Sequence, residues 1–197
     1  MTKVVYFNGM GRAEFIRMML WHAGVDFEDE RIEQEDWPGI KMSGRFPLGS
    51  MPLVTLDGVV MCQSKASARA VAIKHGYYVT DPMLMHNVDS LLDFSQENFD
   101  SLAAYMFDPD KNDEKNKKWL DSWTKRNNLL ENRLKGHGKA FIGATDKPTL
   151  ADFSCISPYF EIAYNEHSVW KGPLQDAVVA QLDSCPCLKR WIETMRG

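Results

Sequence analysis

The first apolar run, residues 3–7 (KVVYF), reads as a strand and breaks at Asn8-Gly9-Met10-Gly11. Residues 11–24 (GRAEFIRMMLWHAG) switch to helical spacing, with Phe15, Ile16, Met19 and Leu20 on one face and Gly24 as a natural stop. A second strand is predicted at 26–32, between Phe27 and Ile32, and a short Gly-punctuated irregular segment at 35–46. Residues 51–62 (MPLVTLDGVVMC) give strand, Asp57-Gly58 hairpin turn and strand. Residues 64–76 form an Ala-rich helix with Ser64 at its cap and Gly76 beyond its end. The predicted order is β-α-β-(α)-β-β-α.

After about residue 80 the strand pattern stops. A long amphipathic helix is predicted through Leu84, Val88, Leu91, Leu92, Phe99, Leu102 and Met106. Another carries Trp119, Trp123, Leu129, Leu130 and Leu134; a third opens at TLADF and is expected to break at Pro158. Residues 172–184 and 186–197 supply two more. The fold class expected is therefore α/β plus all-α: a first domain over 1–76, a linker over 77–83 and a helical domain over 84–197.

Length and composition suit a globular chain, with 197 residues and 44% apolar content. A net charge of −4 argues against nucleic acid or an anionic membrane as partner. The apolar stretches are too short to span a bilayer, and MTKVVYFNG lacks a secretion-signal layout, so the chain is expected to open directly on its fold and to work in the cytoplasm. Cys62, Cys155, Cys185 and Cys187 suggest neither a disulfide framework nor a CxxC redox pair, and Cys185-Pro186-Cys187 has the wrong spacing for a common zinc site. No metal is expected.

Five stretches in one order, YFNGMGRAEFIR, EDWPGIK, PLGSMPLVTLDG, QSKASARAVA and PTLADF, resemble the cytosolic glutathione transferases. The nearest look is to the sigma class, which includes glutathione-dependent prostaglandin D synthases. The resemblance implies a thioredoxin-like first domain, a helical second domain, a homodimer and a detoxifying transferase of glutathione.

Tyr6 is the chemical centre of that reading. A thiol attacks as thiolate, yet with a pKa near ~8.5 only about 3% is ionised at pH 7. A hydroxyl donating to sulfur favours the anion, and a shift of ~2 units corresponds to about 2.7 kcal/mol. From spacing alone Tyr6 is a strand aromatic with its hydroxyl in water; the resemblance makes it the thiol activator. Arg12 would support the phenol or the sulfur, or else pair on the surface with Glu14.

The tripeptide needs anion-binding groups at both ends and a backbone edge between them. By resemblance, Met51 offers that edge and Pro52 is cis. Gln63 and Ser64 grip the γ-glutamyl carboxylate at a helix start. Trp37 and Lys41 hold the glycine end, next to Ser50, where Lys or Gln is commoner. Asp93, with Glu97 as fallback, meets the ammonium of the partner subunit's ligand. Relatives that bind a divalent ion carry an aspartate pair here; Leu92 takes the first place, leaving Asp89 and Asp93. Thr149 and Asp152 form a structural capping box.

The electrophile is expected between the first loop and the long helices, near Met10, Ala104, Tyr105 and Phe107. Asp100 and Ser154 stand where a prostaglandin isomerase would want aromatic residues, which favours conjugation. The alternatives are that isomerase and a non-catalytic carrier or structural relative. A thioredoxin-type oxidoreductase is disfavoured because NGMGRAE holds no cysteine.

Overall fold

The computed structural model describes all 197 residues, Met1–Gly197, which fall into two compact units, Met1–Thr80 and Asp81–Gly197. In the first unit the strands are β1 (Thr2–Phe7), β2 (Phe27–Ile32), β3 (Leu53–Leu56) and β4 (Val59–Cys62). They form one sheet in the order β2-β1-β3-β4. β1 runs parallel to β2 and antiparallel to β3, and β3 and β4 form a hairpin. The helices are α1 (Glu14–His22), α2 (Trp37–Met42) and α3 (Ser64–His75). This is a thioredoxin-like domain.

Local chemistry explains the joints. β1 is buried along Val4, Val5 and Tyr6, as a central strand requires. Asp57 and Gly58 both have positive φ, 53° and 81°, the backbone of a two-residue hairpin turn that matches strand twist. The segment expected to be irregular contains α2, with Pro38 in its first turn. At α3 the structure corrects the sequence reading: Gln63, not Ser64, is the N-cap, and Ser64 is the first helical residue.

The second unit is all-helical: α4 (Pro82–Met106), α5 (Asp113–His137), α6 (Leu150–Ile162), α7 (Pro173–Gln181) and α8 (Pro186–Arg196). α4 begins inside the stretch expected to be linker. Asp81 caps it, accepting from the Met83 and Leu84 amides at 3.0 and 2.9 Å.

α6 is a second correction, because it runs unbroken through Pro158. Proline has no N–H for the Ser154 carbonyl four residues back. The Ser95 hydroxyl of α4 donates to that carbonyl at 2.6 Å instead, so the main-chain acceptor that proline frees has a partner. At the start of α6, Asp152 accepts from the Thr149 amide and hydroxyl, the Ile142 amide and the Trp191 indole, all at 2.8–2.9 Å. Its carboxylate is fully buried and ties three segments of the unit together. No helix is long and apolar enough to cross a membrane.

Candidate functional site

Strand register gathers four of the candidate residues of the first unit, Tyr6, Pro52, Gln63 and Ser64. Val5 pairs with Leu53, so Tyr6, one residue beyond Val5, and Pro52, one residue before Leu53, lie at one end of the sheet. Leu53 pairs with Cys62, which brings Gln63 and Ser64 to that same end. Tyr6 is also opposite Arg31 of β2.

Tyr6 is 8% exposed. Its phenol oxygen accepts the Arg12 backbone N–H at 3.2 Å. That bond uses an oxygen lone pair, not the O–H, and hydrogen-bonded groups polarise one another. Arg12 sits in a 3-10 turn, Gly11–Ala13, ahead of α1 rather than inside it, and meets the phenol through its main chain. Gly11 is the residue that gives the ring room. Its φ is +46°, and a Cβ there would stand 2.7 Å from Tyr6 Cε1 and 2.8 Å from the phenol oxygen.

Around this turn lies a charged clamp. Arg17, 5% exposed, donates from Nη1 to the Gly9 carbonyl at 2.9 Å and the Met10 carbonyl at 3.3 Å. The same nitrogen reaches Glu14 Oε2 at 3.0 Å, and Arg17 Nε reaches Asp29 Oδ1 at 2.9 Å. Asp29 Oδ2 takes Arg31 Nε at 2.7 Å, and Arg31 Nη1 returns to the Gly9 carbonyl at 3.0 Å. Glu14, a candidate partner of Arg12 in the sequence, thus pairs with Arg17.

The Met51–Pro52 peptide is cis. Met51 packs with Trp37, Ile40 and Cys62 on a buried cluster of Val5, Ile32, Phe46 and Leu53. Trp37 stands edge-on to Phe46 and Phe7, at centroid distances of 5.0 and 5.7 Å. Lys41 is exposed; its Cε lies 3.5 Å from where a Gly49 Cβ would be, so its stem runs beside Gly49 and the exposed Ser50. Gln63 has φ +70° and ψ 110°, a backbone costly for a non-glycine residue, and such strain gathers at functional sites. It caps α3 without a side-chain hydrogen bond, and Ser64 behind it is buried.

The remaining candidates belong to the second unit, apart from half-buried Met10. Asp93 and Glu97 are exposed on α4, Asp89 is half-buried, and Leu92 is a core residue. Ala104 is exposed, and Phe107, the C-cap of α4, is 64% exposed. Tyr105 is stacked on Trp119 and Trp170, and its hydroxyl donates to Asn116. Burial, with Asp108 nearby, pushes that phenol's pKa up. Asp100 accepts from Gln96 at 2.8 Å, while Ser154 is buried and donates to the Ala151 carbonyl at 3.1 Å. Burial drives the Cys155 thiol up to about 12, so it stays a neutral core group.

Arg17 and Gly11 are the contributors that sequence reasoning did not single out. Gly11 was visible as part of the break. Arg17 gave no signal, because a lone arginine beside an apolar stripe normally reaches water.

Comparison with known proteins agrees with this geometry. Residues 2–72 match the family model "Glutathione S-transferase, N-terminal domain". A probable glutathione S-transferase 5 of Caenorhabditis elegans is 30% identical over 98% of this chain and 95% of its own length. The hematopoietic prostaglandin D synthase of Gallus gallus is 30% identical over 97% of this chain and 94% of its own. The crystal structure of monomeric Na-GST-3, a glutathione S-transferase of Necator americanus, superposes with a TM-score of 0.74 at 30% identity, covering 98% and 96% of the two chains. With a thioredoxin-like sheet, a helical second unit and relatives matched over nearly their whole length, this chain belongs to the glutathione S-transferase family and is a glutathione transferase.

Proposed function

We propose that the chain is a sigma-like transferase in which Tyr6 activates the glutathione thiol for attack on hydrophobic electrophiles. The observation that carries this reading is the Tyr6 oxygen, held at the sheet end that also presents Met51-Pro52 and Gln63-Ser64. The phenol donates to sulfur and lowers the thiol pKa, the thiol proton leaves to solvent, and the thiolate forms a carbon–sulfur bond as the leaving group departs with its electron pair. Arg12 supports the phenol through its amide.

The tripeptide would lie along that end. Met51 offers its backbone to the cysteinyl part, beside cis-Pro52. Gln63 and Ser64 take the γ-glutamyl carboxylate at the start of α3. Trp37, Lys41 and Ser50 take the glycine end. Asp93 serves the ligand of a partner subunit in a homodimer. Met10, Ala104, Tyr105 and Phe107 are the residues assigned to the electrophile, and Phe107 is largely exposed. The cellular role is detoxification in the cytoplasm, without a metal.

Prostaglandin isomerisation is the second reading, favoured by the likeness to a prostaglandin D synthase. Against it stand Asp100, a charged residue engaged with Gln96, and buried Ser154. The deciding assay is conjugation of glutathione to a chlorinated dinitrobenzene by wild type and Tyr6→Phe. Losing a thiol pKa shift of ~2 units, about 2.7 kcal/mol of thiolate stabilisation, lowers kcat by as much as about a hundredfold at pH below the bound-thiol pKa. Comparable rates refute the hydroxyl mechanism. No turnover by wild type, with retention on immobilised glutathione, indicates a carrier.

A further inference from the structure

We infer that Arg17 is a positioning residue for the reaction: it fixes the Gly9–Met10 main chain and thereby sets where the Tyr6 oxygen stands. The inference rests on the Tyr6 reading above. Its basis is peptide planarity. Arg17 Nη1 holds the Gly9 carbonyl at 2.9 Å and the Met10 carbonyl at 3.3 Å, which immobilises two successive peptide planes. The second of these planes contains the nitrogen and Cα of Gly11. The next plane carries the Arg12 N–H that touches the phenol at 3.2 Å. Only the torsions of Gly11 separate the two.

Gly11 is the loosest possible joint, because glycine restricts its own torsions least. It is also the residue at which any added Cβ would collide with the phenol. A turn that must be glycine for lack of space therefore needs an external tether, and Arg17 supplies it. The guanidinium is itself fixed from two sides, by Asp29 Oδ1 at 2.9 Å and Glu14 Oε2 at 3.0 Å. Asp29 belongs to β2, so the tether is referred to the sheet that carries Tyr6. The guanidinium carbon also lies 5.9 Å from the Tyr6 ring centroid, within reach of a cation–π attraction to the ring. Arg31 reaches the Gly9 carbonyl too, at 3.0 Å, but from a much more exposed position.

One edge of the planar guanidinium is what this geometry uses: Nε and Nη1 together serve two carbonyls and two carboxylates, while the buried Nη2 has no partner. Lysine keeps the charge but not that edge. A purely structural arginine and a positioning one therefore differ in a measurable way.

The test follows the pKa of enzyme-bound glutathione by thiolate ultraviolet absorbance, alongside kcat, KM and circular dichroism, in Tyr6→Phe, Arg17→Met, Arg17→Lys and Asp29→Asn. Tyr6→Phe is expected to raise the bound thiol pKa by about 2 units. Arg17→Met and Arg17→Lys each raise it by about 1 unit and lower kcat about tenfold at pH below the bound-thiol pKa, with KM for glutathione changed less than about twofold. Asp29→Asn retains Arg17 and shifts the pKa the same way by a smaller amount, so a misfolded Arg17→Met leaves the inference decidable. If Tyr6→Phe raises the pKa while folded Arg17→Lys and Asp29→Asn leave it in place, Arg17 is only structural and the inference is overturned. If Tyr6→Phe itself leaves the pKa unchanged, the Tyr6 mechanism falls and the inference falls with it.

Discussion

Gly11→Ala tests the phenol's position with the smallest change available. The added methyl would sit 2.7 Å from Tyr6 Cε1 and 2.8 Å from the phenol oxygen. Carbon pairs are comfortable at about 3.5–4.0 Å, so ring and turn must separate by about 1 Å. The residue must also hold φ +46°, which costs an L-residue about 1–2 kcal/mol. Tyr6 cannot retreat through its backbone, because β1 is hydrogen-bonded on both sides, to β2 and to β3. The ring swings or the Gly11–Ala13 turn lifts, and either breaks the contact with the Arg12 amide. A displacement of that size at a reacting group costs as much as about a hundredfold in rate, or about 2.7 kcal/mol. The assay is kcat for dinitrobenzene conjugation, with chemical denaturation to measure the stability loss separately. In a double-mutant cycle with Tyr6→Phe, Gly11→Ala should add little further loss of kcat, because both act through one oxygen. Full additivity, or a Gly11→Ala enzyme with wild-type kcat, would refute the argument.

Other consequences reach beyond the catalytic turn. Ser95→Ala leaves the buried Ser154 carbonyl without its donor and should destabilise the chain by about 1–3 kcal/mol in urea, with conjugation unchanged in the folded protein. An unaltered midpoint would mean that α6 tolerates Pro158 by other means. Asp152→Ala strands four donors at the base of α6 and should cost more than about 3 kcal/mol, read as loss of soluble protein or an early denaturation midpoint. The Glu30 carboxyl, ordinarily near 4.5, is held at about 2, chiefly by hydrogen bonds from Arg45 and then from Lys3. Because this pKa is depressed on folding, its stabilisation is present above about pH 4.5 and lost as pH falls toward 2. Solvent screening limits it to about 1 kcal/mol, so Glu30→Gln should flatten acid destabilisation by that amount. A denaturation series from pH 6 to pH 2 that is identical in both proteins would exclude the pair as the cause.

The order of elements was legible because period-2 and period-3.6 segments alternate with glycine breaks up to residue 76 and then give way to helical spacing alone. Two local readings missed for tertiary reasons. Pro158 reads as a break, but its cost falls on one carbonyl, and Ser95, 59 residues away in sequence, answers it. Ser64 reads as a cap, whereas the strained backbone of Gln63 starts α3 one residue earlier. At the candidate site, Tyr6, Met51-Pro52 and Gln63-Ser64 could be named from motifs, but their gathering at one sheet end is a matter of register, which depends on strand pairing. The Arg17 clamp was not legible at all. An arginine among Phe15, Ile16, Met19 and Leu20 gives no sign that two main-chain carbonyls and a β2 carboxylate surround it.

The outer strand of the sheet has a consequence for handling this protein. β4 stands at the rim, and Val59 and Val60, consecutive and therefore on opposite faces, are both largely exposed. A rim strand offers an open ladder of main-chain donors and acceptors, and valines on both sides make it adhesive. The ionic contact between Asp57 and Lys74 is a charged guard at the turn end of the hairpin. Warming, or acid that discharges Asp57, should therefore promote clumping through β4 first, and Val60→Lys is the substitution that keeps concentrated samples clear.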